Sequence, residues 1–230
     1  MVTAEGSASW REKYPALGYL APFVTVLILI AVPKPAAFVY WEWPVQVLLV
    51  AAVCFLTWPT ELSLRPSRWI ASIGIGALVF CLWIAPEAIN ANYRHLPLFS
   101  NALIGQVGSS LRPEALKSGW VLFWRTTRAS TVVPIAEELF WRAWLMRWLI
   151  NNDFKKVPLG SYAAFAFWIT AVLFAVEHGP YWDVGLVTGV SYNFWMVRSK
   201  SLGDCVLAHA VTNLLLSVYV IAYGQWQYWQ

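Results

Sequence analysis

The stretch that decides the fold runs from Ser130 to Trp148 and reads STVVPIAEELFWRAWLMRW. It places two adjacent carboxylates, Glu137 and Glu138, and then Arg142 among Val, Ile, Leu, Phe and Trp residues. Ionised groups are costly in such surroundings unless they are paired, and charged residues inside a membrane commonly mark a functional site. The stretch therefore combines a membrane-like sequence with polar groups that need an explanation.

The composition of the whole chain favours lipid as its solvent. Of its 230 residues, 59% are hydrophobic and 12% are charged, and the mean hydropathy is +0.55. Soluble domains carry about 25% charged residues. The sixteen Trp and ten Tyr residues are typical of the belts where helices meet lipid headgroups. We predict a single integral membrane domain, residues 1–230, whose net charge of +4 reflects topology anchors rather than a nucleic-acid partner.

Seven apolar segments predict an all-α, polytopic membrane helix bundle of about seven to eight transmembrane helices. Pro134 is expected to kink or divide the fourth segment, which is too long for one straight span. Residues 86–118 are mixed in character and predict an extramembrane connection, which is the main place where an eighth span could lie. The predicted segments are 17–32, 36–58, 69–85, 119–150, 160–176, 184–197 and 202–223.

The distribution of Lys and Arg predicts the orientation of the bundle. With seven spans and the N-terminus inside, nine of these residues lie on the inner side and four on the outer side. The positive-inside rule then places the N-terminus in the cytoplasm. Arg125 and Arg128 fall within the fourth segment, and we expect them to extend toward the outer headgroups.

Helical periodicity separates the two adjacent carboxylates. Glu138 and Arg142 are four residues apart, so they share a helix face and can pair. Glu137 lies about 100° around the helix, and its oxygens stay free. Two adjacent carboxylates in a low dielectric titrate apart, which suits one of them for general-base action on water.

Two later segments extend the polar set. The fifth ends in Glu177 and His178, and the seventh contains His209 and Asn213, which share a helix face. A single His or Asn in a span is often a helix–helix hydrogen-bonding residue, and Glu177 is interpreted as a boundary residue. The pair of Glu138 with Arg142 can likewise be purely structural. The occurrence of all these groups on three apolar segments favours a catalytic site.

Three motifs carry a resemblance to a known family. The set Glu137-Glu138-x-x-x-Arg142, Phe174-x-x-x-His178 and His209-x-x-x-Asn213 lies in this order within residues 133–216. It resembles the motifs of the CAAX-protease and bacteriocin-processing family of intramembrane glutamate proteases, whose eukaryotic members trim prenylated CAAX proteins. The resemblance implies a bundle of about eight spans and places the catalytic motifs within residues 119–216.

The resemblance also implies a role for each motif residue. Glu137 would activate water, and His178 would hold or polarise that water. His209 and Asn213 would donate hydrogen bonds to the oxyanion, while Glu138 and Arg142 would fix the helix face and tune Glu137. No cofactor is implied, and the substrate would be a membrane-associated protein or peptide, prenylated or otherwise sorted at its C-terminus. We expect a multi-pass protein of a prokaryotic inner (plasma) membrane.

Two other functions remain open from the sequence. A zinc-dependent membrane peptidase would use Glu137 or Glu138 with His178 and His209, although the usual HExxH helix is absent. A non-enzymatic membrane immunity or scaffold protein would use the same residues to hold helices together. The depth of His178 is also open, because a helix that began at Gly160 would carry it about 27 Å up, beyond the other motifs.

Overall fold

The computed structural model describes residues 10–101 and 105–229, whose regular secondary structure is helical apart from one isolated β-bridge between Asn101 and Gly105. A helical turn, Trp10–Lys13, precedes the longer helices. These helices are α1 (Leu17–Ala31), α2 (Glu42–Thr57), α3 (Trp69–Ile89), α4 (Gly119–Ser130), α5 (Val132–Glu138), α6 (Ala164–Val176), α7 (Trp182–Ser199) and α8 (Leu202–Tyr223). The predicted all-α class is confirmed for this part of the chain.

Two of the described helices, α3 and α8, are long and apolar enough to cross a membrane. Helix α8 has the bounds that the sequence predicted, because both of its ends are capped. Ser201 accepts a hydrogen bond from the backbone N–H of Asp204 at 3.2 Å, and Gly224 ends the helix with a φ of 66°. In the described part of the connection after α3, the helical elements are the short turns Tyr93–His95 and Ala115–Lys117.

The fourth predicted segment divides between α4 and α5, as Pro134 led us to expect. The dividing residue is Thr131, whose φ of −125° and ψ of −77° are not helical. A proline ring collides with the carbonyl of the residue four positions earlier, which here is Ser130, the last residue of α4. Beyond α5 the chain continues as a π-helix, Leu139–Leu145, and a last α-helical turn, Met146–Trp148.

Helix α8 packs closely against α3 and carries two of the motif residues into the interior. A Cβ atom on Gly76 would collide with the carbonyl oxygen of Ala208 and would lie 2.8 Å from the Cβ of Val211. The hydroxyl of Thr212 donates to the carbonyl oxygen of Gly76 at 2.8 Å. The absence of a side chain at Gly76 therefore sets how closely the two helices approach, and with it the position of His209 and Asn213.

Candidate active site

Glu138 is fully buried and makes two charge-assisted contacts through one oxygen. Its Oε1 accepts from Nη1 of Arg142 at 3.0 Å, the pairing that the four-residue spacing predicted. The same oxygen lies 2.9 Å from Nδ1 of His209. An ionised carboxylate can only accept, so this contact places the proton on Nδ1 of the imidazole. Glu138 thus fixes the ring of His209 in addition to pairing with the arginine.

Arg142 connects this carboxylate to two further helices. Its Nε donates to Oδ1 of Asn193 at 3.1 Å, and the amide of Asn193 donates to the carbonyl oxygen of Phe167 at 2.8 Å. The guanidinium carbon lies 4.5 Å from the ring centroid of Phe174. Sequence reasoning missed Asn193; a single amide within the apolar residues of α7 was the available signal.

Glu137 borders a cavity and makes fewer polar contacts than its neighbour Glu138. Its side chain is 12% exposed, and its Oε2 has no hydrogen-bond partner among the described residues. Nε2 of His209 lies 3.9 Å from this oxygen, which is too far for a direct hydrogen bond. A water molecule or a substrate oxygen that contacted both groups would bridge this distance.

His178 reaches the same cavity because α6 begins later than the sequence suggested. The helix starts at Ala164 rather than at Gly160, so His178 lies about 21 Å along it rather than about 27 Å. Its Nδ1 is 2.7 Å from the carbonyl oxygen of Phe174. Since a carbonyl only accepts, Nδ1 carries the proton, and Nε2 of the neutral ring is left as an acceptor.

Asn213 is anchored to the last turn of α4. Its Nδ2 donates to the carbonyl oxygen of Ala129 at 2.8 Å, which uses one of the two amide hydrogens. The carbonyls in the last turn of a helix lack helical partners, so the break near Pro134 provides the acceptor. The second amide hydrogen remains available to a ligand.

These side chains border one cavity of about 200 Å³ between α3, α4, α5 and α8. The structure brings together four of the six predicted site residues around it, and it places Glu138 and Arg142 behind them as a buried pair. The four cavity residues are Glu137, His178, His209 and Asn213. Glu177 does not border this cavity; it follows the last residue of α6, is exposed, and lines a neighbouring cavity of about 480 Å³.

Two arginines border the same cavity, and the expectation that they extend toward the outer headgroups was wrong. Arg125 and Arg128 are 7% and 9% exposed and line the cavity together with Glu137. Their guanidinium carbons lie 5.3 and 5.6 Å from the ring centroid of Trp43, and Arg125 lies 4.3 Å from that of Trp229. The aromatic faces compensate in part for lost hydration, which allows the charges to remain inside.

A preformed metal site is not found in the described part of the chain. No group of three or more His, Cys, Asp or Glu side chains within residues 10–101 and 105–229 is arranged to hold a metal ion. Of the ligands considered for zinc, His209 directs Nδ1 at Glu138, and His178 directs Nδ1 at a backbone carbonyl.

Comparison with known proteins agrees with the motif reading. Residues 119–215 match the family model described as Rce1-like, type II CAAX prenyl endopeptidase Rce1-like. The match contains all three motifs and confirms the predicted resemblance to CAAX proteases. No curated protein and no solved structure matches the chain.

Proposed function

We propose that the chain is an intramembrane endopeptidase in which Glu137 activates water, because residues 119–215 match the family model described as Rce1-like, type II CAAX prenyl endopeptidase Rce1-like. One observation carries the proposal. Glu137 presents a carboxylate oxygen without a partner among the described residues to a cavity that His178, His209 and Asn213 share. The adjacent Glu138 is engaged by Arg142 and His209, so the two carboxylates have separate tasks.

Large apolar side chains on the outside of the helices support placement in a membrane. They are distributed over several helices, as expected for a surface that meets lipid. With the positive-inside bias of Lys and Arg, they support a multi-pass protein of seven or eight spans with a cytoplasmic N-terminus in a prokaryotic inner membrane. Examples are Phe55 at 83% exposure, Ile70 at 68%, Ile89 at 85% and Phe165 at 65%.

In the proposed mechanism, Glu137 removes a proton from a water molecule as the water oxygen attacks the scissile carbonyl carbon. His178, which is proton-free at Nε2, accepts a hydrogen bond from the second O–H of this water and orients it. The protonated Glu137 then gives its proton to the leaving amine nitrogen as the C–N bond breaks. Attack and departure balance, and the carboxylate returns to its starting state.

The negative oxygen of the tetrahedral intermediate needs donors, which α8 supplies. The free amide hydrogen of Asn213 is one donor. His209 can be the second as an imidazolium, because Glu138 holds its Nδ1–H and its Nε2–H then faces the cavity. A single donor of this kind typically stabilises the transition state by about 3 kcal/mol.

The second cavity supports a substrate that is tethered to the membrane. It shares Glu137 and His178 with the first cavity, and one wall is apolar. A prenyl chain or another lipid-like group on a protein or peptide would pack against such a wall while the peptide bond lies beside Glu137. The apolar wall is formed by Phe23, Val26, Leu27 and Ile30.

The mechanism is tested with purified Glu137→Gln protein and a farnesylated CAAX peptide, whose released C-terminal fragment is measured by mass spectrometry. We expect kcat to fall about 10²- to 10⁴-fold, because glutamine cannot accept the proton. Lys155→Gln, which breaks an exposed ion pair with Glu61, is the matched control and should leave kcat unchanged.

Three other outcomes would redirect the assignment. Unchanged turnover in Glu137→Gln would remove Glu137 as the base. Stoichiometric zinc that is lost together with activity would favour the zinc peptidase. Wild-type protein that is folded but cleaves no peptide, with a cellular phenotype that survives substitution of Glu137, His178 and His209, would favour the non-enzymatic function.

A further inference from the structure

Arg128 is a charged group in the Glu137 cavity that the mechanism does not use. Its side chain is nine-tenths buried and borders the cavity. Its Nε and Nη2 have no hydrogen-bond partner among the described residues. A guanidinium that has lost most of its water and lacks a carboxylate partner is costly, so its position calls for an anion that arrives from outside the chain.

Contact with Trp43 does not replace such a partner. The guanidinium carbon lies 5.6 Å from the ring centroid of Trp43, which is within the range of a cation–π contact. The contact provides no hydrogen-bond acceptor in the plane of the guanidinium, and Nε and Nη2 stay without a partner among the described residues. The in-plane donors of Arg128 stay available to a planar, bidentate acceptor such as a carboxylate.

The balance of charged side chains around the cavity favours the binding of an anion near Arg128. Arg125 and Arg128 both border it, and Glu137 is the one carboxylate among its lining residues. The histidines that face Arg128 across the cavity, His178 and His209, are neutral or positive and do not reverse this balance. Glu138 lies behind the wall and is paired with Arg142. Glu42 lines an adjacent cavity that Arg128 also borders, and its Oε1 lies 3.4 Å from Nζ of Lys34, so its charge is shared with that lysine.

The separation of Arg128 from Glu137 limits which anion can bind both to the arginine and near the base. The two residues are nine positions apart in the sequence, on either side of the helix break at Thr131, and both border the same cavity of about 200 Å³. An extended peptide rises about 3.4 Å per residue. A peptide with its scissile bond beside Glu137 would therefore bring a nearby downstream atom next to Arg128, because both residues border this one small cavity.

We propose that Arg128, with Arg125 beside it, binds the free C-terminal carboxylate of the substrate and thereby favours cleavage close to the C-terminus. The inference rests on the proposed function and deepens it. Arg128 is a specificity-determining residue, because it holds the end of the peptide and does not take part in the attack of water. The fork of its guanidinium matches a carboxylate, and a C-terminal amide would lose both the charge and one acceptor oxygen.

The test compares two farnesylated CAAX peptides that are identical except for a C-terminal acid or amide. Wild-type protein should cleave the acid with a kcat/KM about 10- to 100-fold higher, mainly through KM, because a hydrogen bond to a charged group is lost in the amide. Arg128→Gln should lower cleavage of the acid to the level of the amide and leave the amide unchanged. Arg128→Lys should restore part of the preference, since it keeps the charge without the fork.

Arg112→Gln is the matched control, because Arg112 lines the adjacent cavity without bordering that of Glu137. It removes one positive charge and should keep the wild-type preference for the acid. Equal cleavage of acid and amide by wild type would overturn the carboxylate site while leaving the proposed function intact. An Arg128→Gln variant that lowers both peptides equally would also overturn it, because a merely structural role predicts that result.

If the wild-type protein cleaves neither peptide, the proposed function fails, and the carboxylate site is judged by binding. The peptide corresponding to the C-terminal part of the substrate, downstream of the farnesylated residue, is then added as acid or amide to the folded protein. The acid should raise the melting temperature of wild type and not of Arg128→Gln. Equal melting temperatures with acid and amide would overturn the site.

Discussion

Two carboxylates that are adjacent in the sequence occupy opposite environments in this molecule. Glu138 is fully buried and is bound by Arg142 and His209, and the arginine is bound in turn by Asn193. Glu137 borders a cavity and has an oxygen without a partner among the described residues. Glu138 Oε2 and Arg142 Nη2 also lack a partner among the described residues, so the two regions differ in that Glu138 is bound through Oε1 away from the cavity, whereas Glu137 borders it.

The difference shows how a helix can hold a reactive group at a fixed place. Neighbouring positions on a helix point about 100° apart, so one glutamate can be packed while the next faces a ligand. The turn that follows Glu138 is a π-helix, which occurs often near functional sites. Glu138 and Arg142 orient the helix face from which Glu137 projects. The position of Glu137 at the cavity therefore depends on the closed network, which we define as Glu138, Arg142, His209 and Asn193.

The largest expected effect comes from breaking the closed network. Arg142→Met leaves Glu138 buried without its cation, and we expect the free energy of unfolding to fall by about 3–5 kcal/mol. The measurement is denaturant unfolding in detergent, with Lys155→Met as the control. That variant breaks an ion pair whose partners are 44% and 42% exposed and should cost less than about 1 kcal/mol. Similar losses of unfolding free energy in the two variants would show that the buried pair of Glu138 with Arg142 stabilises the protein no more than an exposed pair does.

Much of the fold could be predicted from the sequence where a local rule decides. The apolar run of α8 is bounded by Ser201 and Gly224, so both ends could be placed. Pro134 marked the break in the fourth segment for a steric reason that does not depend on packing. The position of His178 could not be fixed, because it depends on where α6 begins, and no cap or proline in the sequence marks Ala164.

The candidate site divides in the same way. The four-residue spacing of Glu138 and Arg142 was enough to predict their pairing. The contact of Glu138 with His209 and the contact of Arg142 with Asn193 join separate helices, and no spacing in the sequence encodes them. Arg128 was expected at the outer headgroups rather than in the cavity for the same reason, because Trp43, the aromatic residue that its guanidinium contacts, lies on another helix, α2.

A smaller effect on stability is expected where α8 packs against α3, since this contact positions His209 and Asn213 at the cavity that Glu137 borders. Gly76→Ala would push a methyl group against Ala208 and Val211, and overpacking of this kind costs about 1–3 kcal/mol. Gly74→Ala is the control two residues away on the same helix, with no atom within 4 Å of the added Cβ. It should stabilise the helix by up to about 1 kcal/mol. Melting temperatures that change in the same direction for both variants would contradict the close approach of the two helices.

The smallest effect on stability is expected at Glu137 itself, and it gives the sharpest test of the comparison. Glu138→Gln removes a charge that Arg142 and His209 both contact, and should cost about 1–3 kcal/mol. Glu137→Gln removes a largely desolvated charge without a hydrogen bond at Oε2, so the free energy of unfolding should fall by no more than about 0.5 kcal/mol, or rise. Unfolding of the two variants side by side measures the difference. Equal losses would mean that Glu137 is as fully engaged as Glu138, and the division between a supporting and a reacting carboxylate would then be lost.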